Sequence, residues 1–290
     1  MSNKRVLGIA LAVSLLANVI VAASGTYALH RRGGLEYLKA HWRGIPFSKE
    51  VSPVRPARQS LFQLLAPPHG GHSIVFLGDS ITEFCEWTDL LGVPVINRGI
   101  SGDTTGDVLS RLDTVSKIRP DSVFLMVGIN DALYGTDVAT AAENYRQIIR
   151  GIRTSSPNTI LYIQSVLPVS PPMVDGWLAR GRGSQINQWV RAMNQQIRNF
   201  AEDKSVVFID LRDDLSKRGE LDPRYSVDGL HLNGAGYEVW KRKLSPFLPP
   251  PDTRGHLQTR EPSIAHRLWG RRASPFGVCS RTTVTASAWV

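Results

Sequence analysis

The chain has 290 residues, 42% of them hydrophobic, enough for one large globular domain or two small ones, and it carries a formal net charge of +9. The charge sits at the ends: residues 1–35 hold four Lys or Arg and no acid, residues 251–290 hold six Arg against Asp252 and Glu261, and residues 36–250 are left at about +1. A near-neutral body argues against a nucleic-acid-binding face, and two cysteines, Cys85 and Cys279, exclude a disulfide framework and a zinc cluster.

Lys4 and Arg5 precede 24 residues without formal charge, 6–29, which His30, Arg31 and Arg32 close. At about 1.5 Å per helical residue this run reaches roughly 36 Å, enough for a bilayer core of about 30 Å. Residues 1–32 are therefore expected to be a membrane anchor that leaves the rest of the chain outside the cytoplasm, in the periplasm or extracellular space. The alternative is a secreted protein, cleaved near the small residues Val21, Ala22 and Ala23. Residues 33–70 mix aromatic, basic and Pro/Gly-containing pieces and read as a connector with one short helix near 60–65. Within it His69 and His72 have no third ligand nearby, so no metal site is expected.

A regular alternation follows. Short apolar runs at 73–77 ("SIVFL"), 93–97 ("VPVIN"), 122–128 ("SVFLMVG"), 159–168 ("TILYIQSVLP") and 206–211 ("VVFIDL") read as strands. Between and after them, residues 104–116, 138–154, 184–203 and 234–244 carry a helical period. Apolar strands of this kind suit burial on both faces, which predicts an α/β domain over residues 71–249 with a five-stranded parallel sheet and helices on both sides. From residue 250 the period stops, and residues 250–290, with Pro, Arg, Ser and Thr, read as a disordered tail.

In open α/β sheets ligands bind beyond the carboxyl ends of the strands, so the residues just after each strand carry the chemistry. They are Gly78-Asp79-Ser80, then the segment from Asn97 to Asp103, then Gly128-Ile129-Asn130-Asp131, and finally Asp228-Gly229-Leu230-His231. Their types fit acyl transfer: a serine needs a base to take its proton, and the base needs a third group to hold its tautomer. Ser80, His231 and Asp228 supply those roles, and the Asp-x-x-His spacing lets one loop carry both partners of the serine. The Ser80 and Gly102 N–H groups and the Asn130 amide are candidate donors for an oxyanion hole. Residues 168–183 form an unusually long connection, and its Met173, Trp177 and Leu178 are expected to line an acyl or leaving-group pocket. Neither phosphate-cradling glycine motif nor a Gly-x-Ser-x-Gly elbow occurs, which argues against a nucleotide fold and the α/β-hydrolase fold.

The blocks "FLGDSIT", "NRGISGDTT", "VGINDA" and "DGLHLNGAGY", in that order over roughly residues 72–248, resemble the SGNH (GDSL-type) hydrolase superfamily. The likeness extends to its lysophospholipase/arylesterase and platelet-activating-factor acetylhydrolase-like branches. It implies a flavodoxin-like three-layer α/β/α fold, no metal or organic cofactor, and hydrolysis of esters or thioesters. Asp79 is then expected to be structural rather than the acid of the triad. The expected protein is a membrane-anchored serine esterase acting on a small-molecule or lipid ester, with no nucleic acid and no obligate protein partner. Two rivals stay open: an esterase or O-acyltransferase working on cell-envelope polysaccharide, and a non-catalytic binding module that kept the fold.

Overall fold

The computed structural model describes residues 13–16, 18–27, 54–65, 73–201 and 206–250. Five parallel strands, β1 (Ile74–Gly78), β2 (Val95–Gly99), β3 (Ser122–Met126), β4 (Ile160–Gln164) and β5 (Val206–Ile209), form one sheet in the order β2-β1-β3-β4-β5. All five predicted strands are present: β1 and β2 keep the length of their apolar runs but start one and two residues later, and β3, β4 and β5 are shorter than theirs. Strand order reverses between β1 and β3, and a crevice opens at such a switch point beyond the strand ends.

The alternating side chains of the strands divide the core into two layers. On one face Phe76, Phe124 and Tyr162 stand in register across β1, β3 and β4, with centroids 4.8 and 4.4 Å apart. Phe76 meets Trp87 of a short helix (Trp87–Leu91), and Trp87 packs edge-on against Trp240 of the last long helix, Gly234–Leu244. On the other face the Tyr145 hydroxyl, from helix Val138–Ser155, donates to the Leu125 carbonyl. That helix lies against Arg182–Phe200, with Tyr145 and Phe200 stacked at 6.0 Å.

Where helices differ from expectation, tertiary contacts decide. The helix predicted over 104–116 is two, Thr105–Ser110 and Asp113–Ser116. Arg111 breaks it by turning inward, where its guanidinium donates to Asp103 at 2.6 Å and to the carbonyls of Gly78 and Arg98 at 3.0 and 2.9 Å. Continuing the helix would withdraw those donors and take from Asp103, which is fully buried, its shorter ion pair. The connector helix begins earlier than expected, spanning Val54–Leu64, and its Phe62 is buried on the body.

Residues 13–16 and 18–27 are helical, and among the described residues no helix is long and apolar enough to cross a membrane. The rest of the expected anchor, His69 and His72, and residues 251–290 of the expected tail lie outside the described residues.

Candidate active site

Strand β1 ends at Gly78, and Asp79 caps a four-residue helix, Ser80–Glu83, by accepting the Ile81 N–H at 3.0 Å. So short a helix cannot satisfy its own ends. Its carbonyls are held instead from outside: Ile81 by the Tyr237 hydroxyl at 2.8 Å, Thr82 by the Trp87 indole at 2.8 Å, and Thr82 and Glu83 by the Asn97 amide at 3.1 Å. Ser80 is thereby fixed at the first helical position, above the sheet edge. Burial pushes the Asp79 carboxyl up to about 7, against the pull of its bond to Ile81, and the nearby Asp103 and Asp131 add to the rise.

After β2 the chain makes a four-residue turn closed by Asp103 N–H to Ile100 C=O at 3.1 Å. Gly102 stands third, at φ +80°, in the left-handed region that glycine enters at little cost. After β3 comes the helix Ile129–Tyr134, whose Asn130 amide nitrogen donates to the Asp103 carbonyl at 3.0 Å. The next residue, Asp131, accepts from the Thr105 N–H and hydroxyl at 2.8 and 2.7 Å, and burial raises its carboxyl to about 6. Among the described residues neither the Ser80 N–H nor the Gly102 N–H has a protein acceptor, and Asn130 keeps a second amide hydrogen.

The fourth block is a compact loop. The Ser226 hydroxyl donates to the His231 carbonyl and accepts the Gly229 N–H, and Val227 N–H donates to the same His231 carbonyl. Asp228 takes the N–H groups of Leu230 and His231 on one oxygen, at 2.9 and 2.8 Å, and faces His231 Nδ1 with the other at 2.7 Å. Partial burial pushes the Asp228 carboxyl up, yet the His231 ring and the two backbone donors outweigh it, so the group lies below the ordinary carboxylate range. An ionised Asp228 only accepts, so the bond to it needs the proton on Nδ1, an arrangement that leaves Nε2 on the Ser80 side of the ring. Nε2 stands 2.9 Å from Ser80 Oγ.

The family model of the GDSL-like Lipase/Acylhydrolase family matches residues 76–239, more than half of the chain. The chain belongs to this family. It is 27% identical over 177 residues to the platelet-activating factor acetylhydrolase IB subunit alpha2 of Gallus gallus, covering 57% of this chain and 70% of that one. An arylesterase of Vibrio mimicus is 32% identical over 116 residues, covering 34% and 58%. A GDSL-like lipase of Bacteroides thetaiotaomicron shares the fold, with a TM-score of 0.56 at 24% identity over 66% of this chain and 95% of that one. As a GDSL-family member the chain is a hydrolase of ester bonds.

The structure of this GDSL-family hydrolase brings Ser80, His231, Asp228, Gly102 and Asn130 to one sheet edge. The three residues expected to line a pocket lie beside the fourth block. Met173 packs on Gly229, the half-exposed Trp177 donates its indole N–H to the Asp228 carbonyl at 3.1 Å, and Leu178 packs partly buried against the core. Two contributors escaped the sequence reading. Phe84 sits beside the His231 ring at 5.1 Å. Arg55, in the connector, donates to the Gly102 carbonyl at 2.9 Å. A signal for the latter existed: Arg55, Arg58 and Phe62 recur at helical spacing on one face.

Proposed function

We propose that this esterase is a serine hydrolase working through an acyl-enzyme on Ser80. His231 Nε2 takes the Ser80 proton as Oγ attacks the ester carbonyl carbon. The oxyanion of the tetrahedral intermediate is received by the Ser80 and Gly102 N–H groups and the free hydrogen of the Asn130 amide. His231 then gives its proton to the leaving alkoxide, and a water deprotonated by His231 releases the acid and restores the serine. Asp228 holds the ring and offsets its charge. The observation that carries this reading is the 2.9 and 2.7 Å relay from Ser80 to His231 to Asp228, beside donors with no acceptor among the described residues.

For the substrate we propose a carboxylic ester with an apolar leaving group and a short acyl chain. Phe84, Trp177 and Val227, 57, 49 and 64% exposed, surround the Asp228–His231 loop as an apolar rim. The names of the relatives, an acetylhydrolase and an arylesterase, support a short acyl group and an aromatic or lipid-like alcohol. Anchoring or secretion through the N-terminal segment remains part of the proposal on sequence pattern alone. Turnover of p-nitrophenyl esters from acetate to palmitate by the full chain, beside Ser80→Ala, tests both statements. Loss of turnover in the variant and a maximum at short acyl chains is the expected result. Activity in Ser80→Ala overturns the mechanism, and a maximum at palmitate overturns the acyl-size reading.

A further inference from the structure

The turn over residues 100–103 has an unusual share of its backbone held from outside. Ser101 N–H and its hydroxyl both bond Glu83, which belongs to the Ser80 helix. Gly99 C=O accepts from Arg58 at 3.0 Å, and Arg58 also pairs with Glu83 at 3.0 Å. Gly102 C=O accepts from Arg55 Nη2 at 2.9 Å. The same guanidinium stands 3.2 Å from Asp103 and 2.7 Å from Asp107. The helix that supplies both arginines is seated by Phe62, which lies under the guanidinium planes of Arg58 and Arg98, at 5.0 and 4.5 Å.

Glycine sets no preferred direction for its own peptide planes, because it lacks the side chain that would restrict them. The direction of the Gly102 N–H therefore comes from whatever grips the turn on either side. On the N-terminal side that is Glu83; on the C-terminal side it is Arg55. Arg55 is suited to the task, since its rigid fork reaches a carbonyl and two carboxylates together, which a single ammonium cannot. Asp103, the next residue along, also receives the Asn130 amide on its carbonyl, so Arg55 bears on two of the three candidate oxyanion donors.

We infer that Arg55, which lies outside the residues matched by the family model, is a positioning residue that aims the Gly102 N–H and Asn130 amide at the oxyanion. The inference rests on the acyl-enzyme reading above. It turns the segment before the catalytic fold from a tether into a working part of the esterase, and it predicts that a chain shortened past residue 55 hydrolyses poorly even when folded.

The test compares Arg55→Ala, Arg55→Lys, Gln63→Ala and Ser80→Ala in the full chain, by kcat and KM on p-nitrophenyl acetate, thermal unfolding, and affinity for phenylboronic acid. The boronic acid adds the serine oxygen to boron and so mimics the tetrahedral oxyanion. Deleting one oxyanion donor costs about 10²–10³ in kcat, and misaiming donors should cost less, about tenfold to 100-fold. Arg55→Ala should lower kcat in that range, leave KM within about twofold, and weaken boronic acid binding in proportion. Arg55→Lys should unfold near the parent temperature with kcat between the two. Gln63, whose side chain bonds Asp113 and Lys117 at the far end of the same helix, tests docking alone, and Gln63→Ala should keep the parent kcat.

Parent kcat and boronic acid affinity in Arg55→Ala would overturn the inference, as would an equal loss in Gln63→Ala. Should Arg55→Ala not fold, a lowered kcat at an unchanged unfolding temperature in Arg55→Lys supports it, and a parent kcat there overturns it. Turnover surviving in Ser80→Ala removes the acyl-enzyme reading and this inference together; turnover lost there and intact in Arg55→Ala removes the inference alone.

Discussion

Trp177 holds the carbonyl of Asp228, its indole N–H donating at 3.1 Å across 51 residues of sequence, so the long connection after β4 supports the loop that carries the candidate base. A side chain expected to touch substrate thus has a second, mechanical task. Trp177→Phe keeps the ring and removes the donor. A hydrogen bond of this kind contributes about 0.5–1.5 kcal/mol net, which corresponds to roughly a two- to tenfold loss. kcat/KM should fall by that factor on p-nitrophenyl acetate and octanoate alike. A loss restricted to octanoate would return Trp177 to the role of acyl lining.

Gly229 lies between Asp228 and His231 at φ +90°, and a methyl group there would come within 2.6 Å of Met173 Cβ and 3.1 Å of the Ser170 carbonyl oxygen. Gly229→Ala combines a left-handed backbone cost of about 1–2 kcal/mol with a collision that only loop movement relieves. Both act on the Asp228–His231 geometry. The variant should be less stable by about 2–4 kcal/mol in urea unfolding and lose at least tenfold in kcat. Parent stability would mean that the Met173 segment moves aside freely.

The strands and the four site blocks were legible because each is local. An apolar run shows its strand within a few residues, and Ser80, Asn130, Asp228 and His231 stand directly after strands or three residues apart. The helix break at Arg111 was not legible, because it depends on carbonyls of Gly78 and Arg98 that only the folded sheet brings near. The short helices at Ser80–Glu83 and Pro171–Val174 are four residues each, too short to display a helical period. Arg55 was hidden for a different reason. Its helix stands apart from the regular alternation, in a stretch whose Pro, Gly and basic residues read as a linker, and its partners lie 47 or more residues away.

Asp79 is fully buried with its carboxyl raised from 3.8 to about 7, first by desolvation and then by the neighbouring acids. A raised acid keeps its proton in the folded protein over a range where the unfolded chain has released it. The folded state then binds more protons between about pH 4 and 7, and stability falls as pH rises through that window. Asn in place of Asp79 retains an oxygen for the Ile81 N–H and carries no charge. In urea unfolding Asp79→Asn should match the parent at pH 4 and exceed it at pH 8 by about 3–4 kcal/mol. A parent that gains stability from pH 4 to 8 relative to the variant would show that Asp79 is ionised and favourably held.

Asn130 meets two demands with one amide: a hydrogen bond to the Asp103 carbonyl at 3.0 Å and a second hydrogen directed to no described acceptor. A donor reserved for a charge that exists only in the transition state should act on kcat and hardly on KM. Asn130→Ala is expected to lower kcat by about 10²–10³ with KM within about threefold. Asn130→Asp should be worse still at neutral pH, because it substitutes an acceptor for the donor and brings a like charge to the oxyanion. Should Asn130→Ala instead raise KM at constant kcat, the amide binds the ground-state ester, and the Ser80 and Gly102 N–H groups alone receive the oxyanion. Should Asn130→Asp equal Ala, the second hydrogen faces water rather than the developing charge. The two variants together therefore separate a donor aimed at the oxyanion from one that only fastens the turn through Asp103.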